Sequence, residues 1–218
     1  MKSLGVDQFL NKKFKLLGIK GKWAETLGSL PKNFVGIVYG NSGNGKTEFL
    51  IQLAKYLCKF GKVAWVSYEQ GHGYDLQRAV DRNDMQDVAG KFIIVDPIAR
   101  RNPKKTLFEE LMSQIGKRNS PQFFIIDSYD YVRFTQEEYQ QLKEAFGHKK
   151  GIIFISHEHG GKPKRAVAQH IEYDGGFSLQ VKKMIAYPIK NRFGGFEPYV
   201  IWEERARQLN KAFFEERQ

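Results

Sequence analysis

The sequence predicts an α/β domain with a mainly parallel central sheet, helices on both faces, and an antiparallel extension toward the C-terminus. Three observations carry this expectation. Five short apolar runs alternate with stretches of helical period, as strands and crossover helices do. Each run is nearly continuous in apolar residues, as a strand covered on both faces must be. After residue 157 the apolar runs shorten and are joined by turn signals.

Residues 1–33, ending just past Pro31, have weak periodicity and are expected to form an arm or small appendage to a core spanning 34–218. The expected strands are "NFVGIVYG", "KVAWVSY", "KFIIVD", "QFFIIDS" and "GIIFISH". Between them, Glu48 to Phe60 places Leu50, Leu53, Ala54 and Leu57 on one helical face, and further helices are expected at Thr106 to Lys117 and Gln136 to Phe146. Gly61 and Gly147 supply stops. The stretch "FSLQVKKMIAYPIKNRFGGFEPYVIW" reads as short antiparallel strands, and "EERARQLNKAFFEERQ" as one amphipathic terminal helix.

A chain of 218 residues has room for one domain with a substantial core. Its single cysteine, Cys58, excludes an internal disulfide and a paired-thiol zinc site, which fits a reducing interior. The amino-terminal apolar residues are interrupted by Asp7, Lys12, Lys13 and Lys15, and no run approaches the roughly 20 residues of a membrane span. A cytoplasmic protein without membrane contact is expected. The net charge of +11 favours polyanions, but basic residues are spread from Lys12 to Lys211, so position must decide what they meet.

The stretch Gly40, Asn41, Ser42, Gly43, Asn44, Gly45, Lys46, Thr47 fits G-x-x-x-x-G-K-[ST], between a buried strand and an amphipathic helix. That context is the one a phosphate-binding loop needs. Several backbone N–H groups must turn together toward phosphate oxygens, and glycine permits the close approach and the positive φ this demands. Lys46 is expected to reach the β and γ phosphates of ATP, and Thr47 to ligate Mg²⁺. A second magnesium-holding group is expected at the end of a neighbouring strand, where Asp127 closes "FFIID". Glu69, in "VSYEQG", stands at another strand end, where a carboxylate could deprotonate attacking water.

The combination "GNSGNGKT", "VSYEQG", "FFIIDS" and "IFISH", in this order, resembles the RecA-like ATPases, a superfamily of recombinases, replicative helicases, RadA-like and KaiC-like proteins. The resemblance covers most of residues 34–160 and implies a RecA-like P-loop NTPase fold. It also implies that Glu69 is the catalytic base and that "GIIFISH" is a sensor strand, with His157 where Gln is common. A metal site made of His157, His159 and His170 matches no zinc spacing. "YPIKNRFGG" resembles the Lys-x-Arg element that some members insert into a neighbouring subunit's nucleotide site, which carries a trans-acting role to Lys190 and Arg192 and implies a homo-oligomeric ring or filament. A basic turn closing a hairpin is the alternative for those two residues.

Between His157 and Phe177 the segment "EHGGKPKRAVAQHIEYDGG" reads as a mobile basic loop, with Lys162, Lys164 and Arg165. In the family, loops after the corresponding strands hold single-stranded DNA; Tyr129 and Tyr131 would stack on bases or pack in the core. The sequence shows neither the extra amino-terminal domain of replicative helicases nor the zinc finger of RadA-like proteins. The resemblance therefore implies a small ATPase of the kind found in phages and mobile elements, coupling hydrolysis to single-stranded DNA in replication or recombination, with or without a partner protein. A nucleotide-gated interaction switch and a KaiC-like phosphotransferase are the alternatives, although "EQG" offers one glutamate where KaiC-like kinases carry two.

Overall fold

A computed structural model describes residues 3–99 and 101–215. In chain order the elements are α1 (Val6–Leu10), α2 (Lys22–Leu27), β1 (Phe34–Gly40), α3 (Lys46–Leu57), β2 (Val63–Ser67), α4 (Tyr74–Arg82), β3 (Phe92–Val95), α5 (Leu107–Gly116) and β4 (Phe123–Asp127). There follow α6 (Tyr129–Val132), α7 (Gln136–Phe146), β5 (Gly151–His159), β6 (Lys162–Pro163), α8 (Ala166–Asp174), β7 (Phe177–Lys182), β8 (Ile185–Asn191), β9 (Tyr199–Val200), α9 (Glu203–Leu209) and α10 (Lys211–Glu215). A 3₁₀ turn, Met85–Val88, leads into β3.

The strands lie in the order β3-β2-β4-β5-β1-β7-β8-β9, with β6 paired to the end of β5. Strands β3 through β7 along this path run parallel, and β8 and β9 add the antiparallel extension. The register sets Gly40 against His157 and Ser67 against Asp127, so the ends of β1, β5, β2 and β4 come level at one edge. Parallel strands present their carboxyl ends together, and that edge is where an open α/β sheet offers a crevice for a ligand.

Alternation along each strand divides the core in two. On one face Val38, Trp65, Ile125, Ile153 and Ile155 meet Phe49, Leu50, Leu53 and Leu57 of α3. On the other, Ile37, Val66, Phe124, Ile126 and Phe154 meet Phe108, Leu111 and Ile115 of α5, Tyr139 and Leu142 of α7, and Ala168 and Ile171 of α8. Each fully buried side chain of this size contributes about 1.5–3 kcal/mol. Helices α5 and α7 begin at capping boxes, Thr106 with Glu109 and Thr135 with Glu138, which stop the helix from fraying toward the loop before it.

Leu17, Leu27 and Leu30 join the α3-side core, and Trp23 stacks on Tyr199 with ring centroids 4.3 Å apart. Helix α1, by contrast, buries no residue. The single terminal helix expected from sequence is two, α9 and α10, parted at Asn210, whose side chain donates instead to the Tyr187 hydroxyl; its last three residues lie outside the described residues. The expectation of a mobile loop between His157 and Phe177 is also corrected. β5 runs on to His159, turns through Gly160 and Gly161 into β6, and α8 follows, held by Ala168 and Ile171 in the core. Among the described residues no helix is long and apolar enough to cross a membrane.

Candidate nucleotide site

β1 delivers the chain to Gly40, and the loop from there re-enters helix at Lys46. Gly45 has φ of +103°, and a Cβ there would stand 2.7 Å from Met184 Sδ, so only glycine fits. The loop is braced from the side by the β7–β8 turn, a two-residue connection in which Lys183 and Met184 both have positive φ. The Lys183 N–H donates to Asn44 Oδ1 at 3.0 Å and the Met184 N–H to the Asn44 carbonyl at 3.1 Å. Asn44 thus ties the loop to a hairpin about 140 residues downstream in sequence.

Lys46 lies over this loop, its Nζ donating to the carbonyls of Gly40 at 2.8 Å and Asn41 at 3.1 Å. Burial pulls its ammonium pKa down, opposed by the charges of Glu69, Asp127, Asp130 and Glu158. Asp127 is buried at the end of β4 and accepts a hydrogen bond from Trp65 Nε1 at 3.2 Å. Desolvation, and then the Glu69 charge, push its carboxyl up to about 7. The N–H groups of Tyr68 and Glu69 both donate to the Asp127 carbonyl, which fixes the turn that carries Glu69 against the end of β4. His157 Nε2 stands 3.5 Å from Glu69 Oε2.

These side chains line one cleft of about 280 Å³, with Gly43, Lys46, Thr47, Glu69, Asp127 and His157 on its walls. The α3 amino terminus begins at Lys46 on this cleft, where unpaired helix amides and the helix dipole suit a phosphate. The donors beside it are hard oxygens, the Thr47 hydroxyl and a buried Asp127 carboxylate whose charge is poorly compensated by protein alone. They suit Mg²⁺ that completes its shell with phosphate oxygens and water. Among the described residues no group of three or more His, Cys, Asp or Glu is placed to hold a metal by itself.

Asp130 is a member of this region that sequence reasoning missed. It is 8% exposed, and its Oδ2 accepts the His157 N–H at 2.7 Å and the Ser156 hydroxyl at 3.2 Å. Its Oδ1 faces Arg165 Nε at 3.7 Å. A second acid one helical turn past Asp127, in "DSYD", was the available signal.

Lys190 and Arg192 stand elsewhere. Ser178 pairs with Ile37 on one side and with Lys190 on the other, so Lys190 lies three residues, about 10 Å, back from the end of β1. Its ammonium donates to the carbonyls of Glu172 at 3.0 Å, Gly175 at 2.8 Å and Tyr173, closing the end of α8. Arg192 is exposed; its guanidinium donates to the Tyr173 carbonyl at 3.5 Å and its backbone N–H to the Gly176 carbonyl at 2.8 Å. Lys162, Lys164 and Arg165 are exposed around β6, and the Lys164 N–H donates to the His157 carbonyl at 2.9 Å. Tyr129 is core, with its hydroxyl donating to the Phe134 carbonyl, whereas Tyr131 is exposed. His170 packs on Tyr139 and pairs with Gln140.

A glycine-rich loop between a central parallel strand and a helix, with an acid ending the β4 strand two places away in the sheet, is the arrangement of a RecA-like P-loop fold. The chain is similar to one such protein in part of its sequence and to another in fold. It is 29% identical over 140 residues to the DNA repair and recombination protein RadB of Pyrococcus furiosus, a match covering 62% of this chain and 60% of RadB. The chain therefore matches less than two thirds of that relative's length. The flagellar accessory protein FlaH of Methanocaldococcus jannaschii shares the fold, with a TM-score of 0.58 over 86% of this chain and 97% of FlaH, at 16% identity. No protein-family model matches the chain.

Proposed function

We propose that this protein binds ATP with Mg²⁺ in the cleft at Gly40–Thr47 and hydrolyses it, coupling turnover to single-stranded DNA held near Lys162, Lys164 and Arg165. The observation that carries the reading is the convergence of Lys46, Thr47, Glu69, Asp127 and His157, drawn from four strand ends, on one cleft. Lys46 leaves the loop carbonyls to meet the β and γ phosphates. Thr47 and Asp127 hold the metal, which when bound offsets phosphate charge. Glu69 accepts the proton of a water whose oxygen attacks the γ phosphorus, and the β–γ bridging oxygen departs with ADP. His157, beside Glu69, reports the change to β5 and, through Asp130, to Arg165.

RadB's description as a DNA repair and recombination protein supports the DNA partner, as does the net charge of +11. In the same reading Arg192 of one copy completes the site of the next, within a homo-oligomer. Residues 1–33 serve as a small appendage to the ATPase core, packed on it through Leu17, Leu27 and Leu30. The test is ATP turnover with and without single-stranded DNA. Lys46→Ala should abolish tight nucleotide binding, and Glu69→Gln should retain binding while slowing turnover by about 10²–10⁴-fold. Normal turnover in Glu69→Gln refutes the assigned base, and turnover indifferent to DNA refutes the coupling.

A further inference from the structure

A second cleft, of about 300 Å³, opens on the other face of the sheet over the carboxyl ends of β2 and β3. Its floor is apolar, with buried Val66 and Leu111 and the neighbouring Val95. Tyr68 lines it, is 7% exposed, and has a buried hydroxyl with no hydrogen-bond partner among the described residues. Buried polar atoms are almost always paired, so this hydroxyl lacks the acceptor that a ligand would supply.

The walls carry charge of both signs. The two acids in them are held at the wall by backbone, and two lysines balance their charge: Asp96 Oδ1 accepts the N–H groups of Ile98 at 2.9 Å and Ala99 at 3.0 Å, and Glu110 Oε1 accepts that of Asn102 at 2.7 Å. The ammonium groups of Lys105 and Lys117 are exposed at the rim. An apolar slot with a phenol in its floor and cations at its mouth matches a flat heterocycle carrying a phosphate.

We infer that this cleft binds one nucleoside phosphate unit, its ring against Val66, Leu111 and the Tyr68 hydroxyl and its phosphate toward Lys105 and Lys117. The inference is independent of the ATP reading, because the Gly40–Thr47 loop takes no part in it. The unit is either a free mononucleotide or one residue of a single strand. Tyr68 directly precedes Glu69, and both donate backbone N–H groups to the Asp127 carbonyl, so an occupant bears on the turn that carries Glu69.

The experiment titrates the full chain, saturated with a non-hydrolysable ATP analogue and Mg²⁺, with dTMP by calorimetry and with a fluorescent oligo(dT) by anisotropy. Tyr68→Phe removes only the unpaired hydroxyl, and Ser113→Trp fills the mouth from an exposed position on α5; unchanged thermal unfolding establishes that each folds. Tyr68→Phe should weaken the bound probe about fivefold, the loss of one hydrogen bond, and Ser113→Trp should weaken it more. Sensitivity of dTMP identifies a free nucleotide; sensitivity of oligo(dT) alone identifies a strand. Repeating the titration on Lys46→Ala, without the analogue, should still show the losses caused by Tyr68→Phe and Ser113→Trp, which separates this cleft from failure at the ATP site. Absence of binding by both probes, or affinities unchanged in Ser113→Trp, overturns the inference.

Discussion

Lys190 provides the sharpest test of what "KNR" does, because the structure gives it work within its own chain. Its ammonium donates to the carbonyls of Glu172, Tyr173 and Gly175 at the carboxyl end of α8, and burial lowers its pKa. A helix end leaves its last carbonyls without intrahelical partners and carries the negative end of the dipole, so a cation there satisfies both needs. Lys190→Met keeps the aliphatic stem and removes the three donors. Hydrogen bonds from a charged group contribute about 1.5–3 kcal/mol each when fully desolvated, but Lys190 is half-buried and water replaces part of the loss. The expected net cost is about 2 kcal/mol, which lowers the unfolding midpoint of a domain this size by about 4–8 °C. Thermal unfolding by circular dichroism of the nucleotide-free chain reads it. If Lys190→Met melts as the unaltered chain does and loses turnover, Lys190 acts at another subunit's phosphates and the helix-end account is refuted.

Asp127→Asn should change the pH dependence of stability. The folded carboxyl is raised from its ordinary 3.8 to about 7, so the native chain binds the extra proton and stability falls as pH rises between those values. A rise of about three units corresponds to about 4 kcal/mol of cost, fully present above pH 7. Urea unfolding of the nucleotide-free protein should find the variant stabilised at pH 8 relative to pH 5 by comparison with the unaltered chain, and parallel pH profiles for the two proteins would refute it. Arg192→Ala mixed with Lys46→Ala should regain turnover toward about a quarter of the unaltered value, since in random assembly one interface in four pairs an intact loop with an intact arginine. No recovery in the mixture confines Arg192 to its own chain.

The strand-end residues were legible because each sits beside its own signal. Lys46, Thr47, Glu69 and Asp127 all follow an apolar run that ends in a loop, and parallel strands bring such ends to one edge whatever the loops do. The strands themselves declared their double burial by unbroken apolar runs, as in Phe123–Asp127. Helix α8 did not declare itself: it follows a Gly-Gly turn and a basic stretch, and only Ala168 and Ile171 are fully buried, too few to set a period. Helix α4 was missed for the same reason, with Leu76 and Ala79 its buried residues.

What remained hidden depends on groups far apart in sequence. Asn44 reads as one residue of the phosphate-binding loop, and its tie to the Lys183 and Met184 amides shows only in the fold. Asp130 acquires its partners only when the fold brings His157, Ser156 and Arg165 around it. The geometry around Asp130 also revises how the basic segment would answer DNA. A mobile loop would meet phosphates freely, but Arg165 already faces a buried carboxylate that holds the backbone of His157. A phosphate that drew Arg165 outward would leave Asp130 with its hydrogen bonds to β5 alone, so any grip of the segment on DNA would be linked to the position of His157 beside Glu69 through one buried acid rather than through loop disorder.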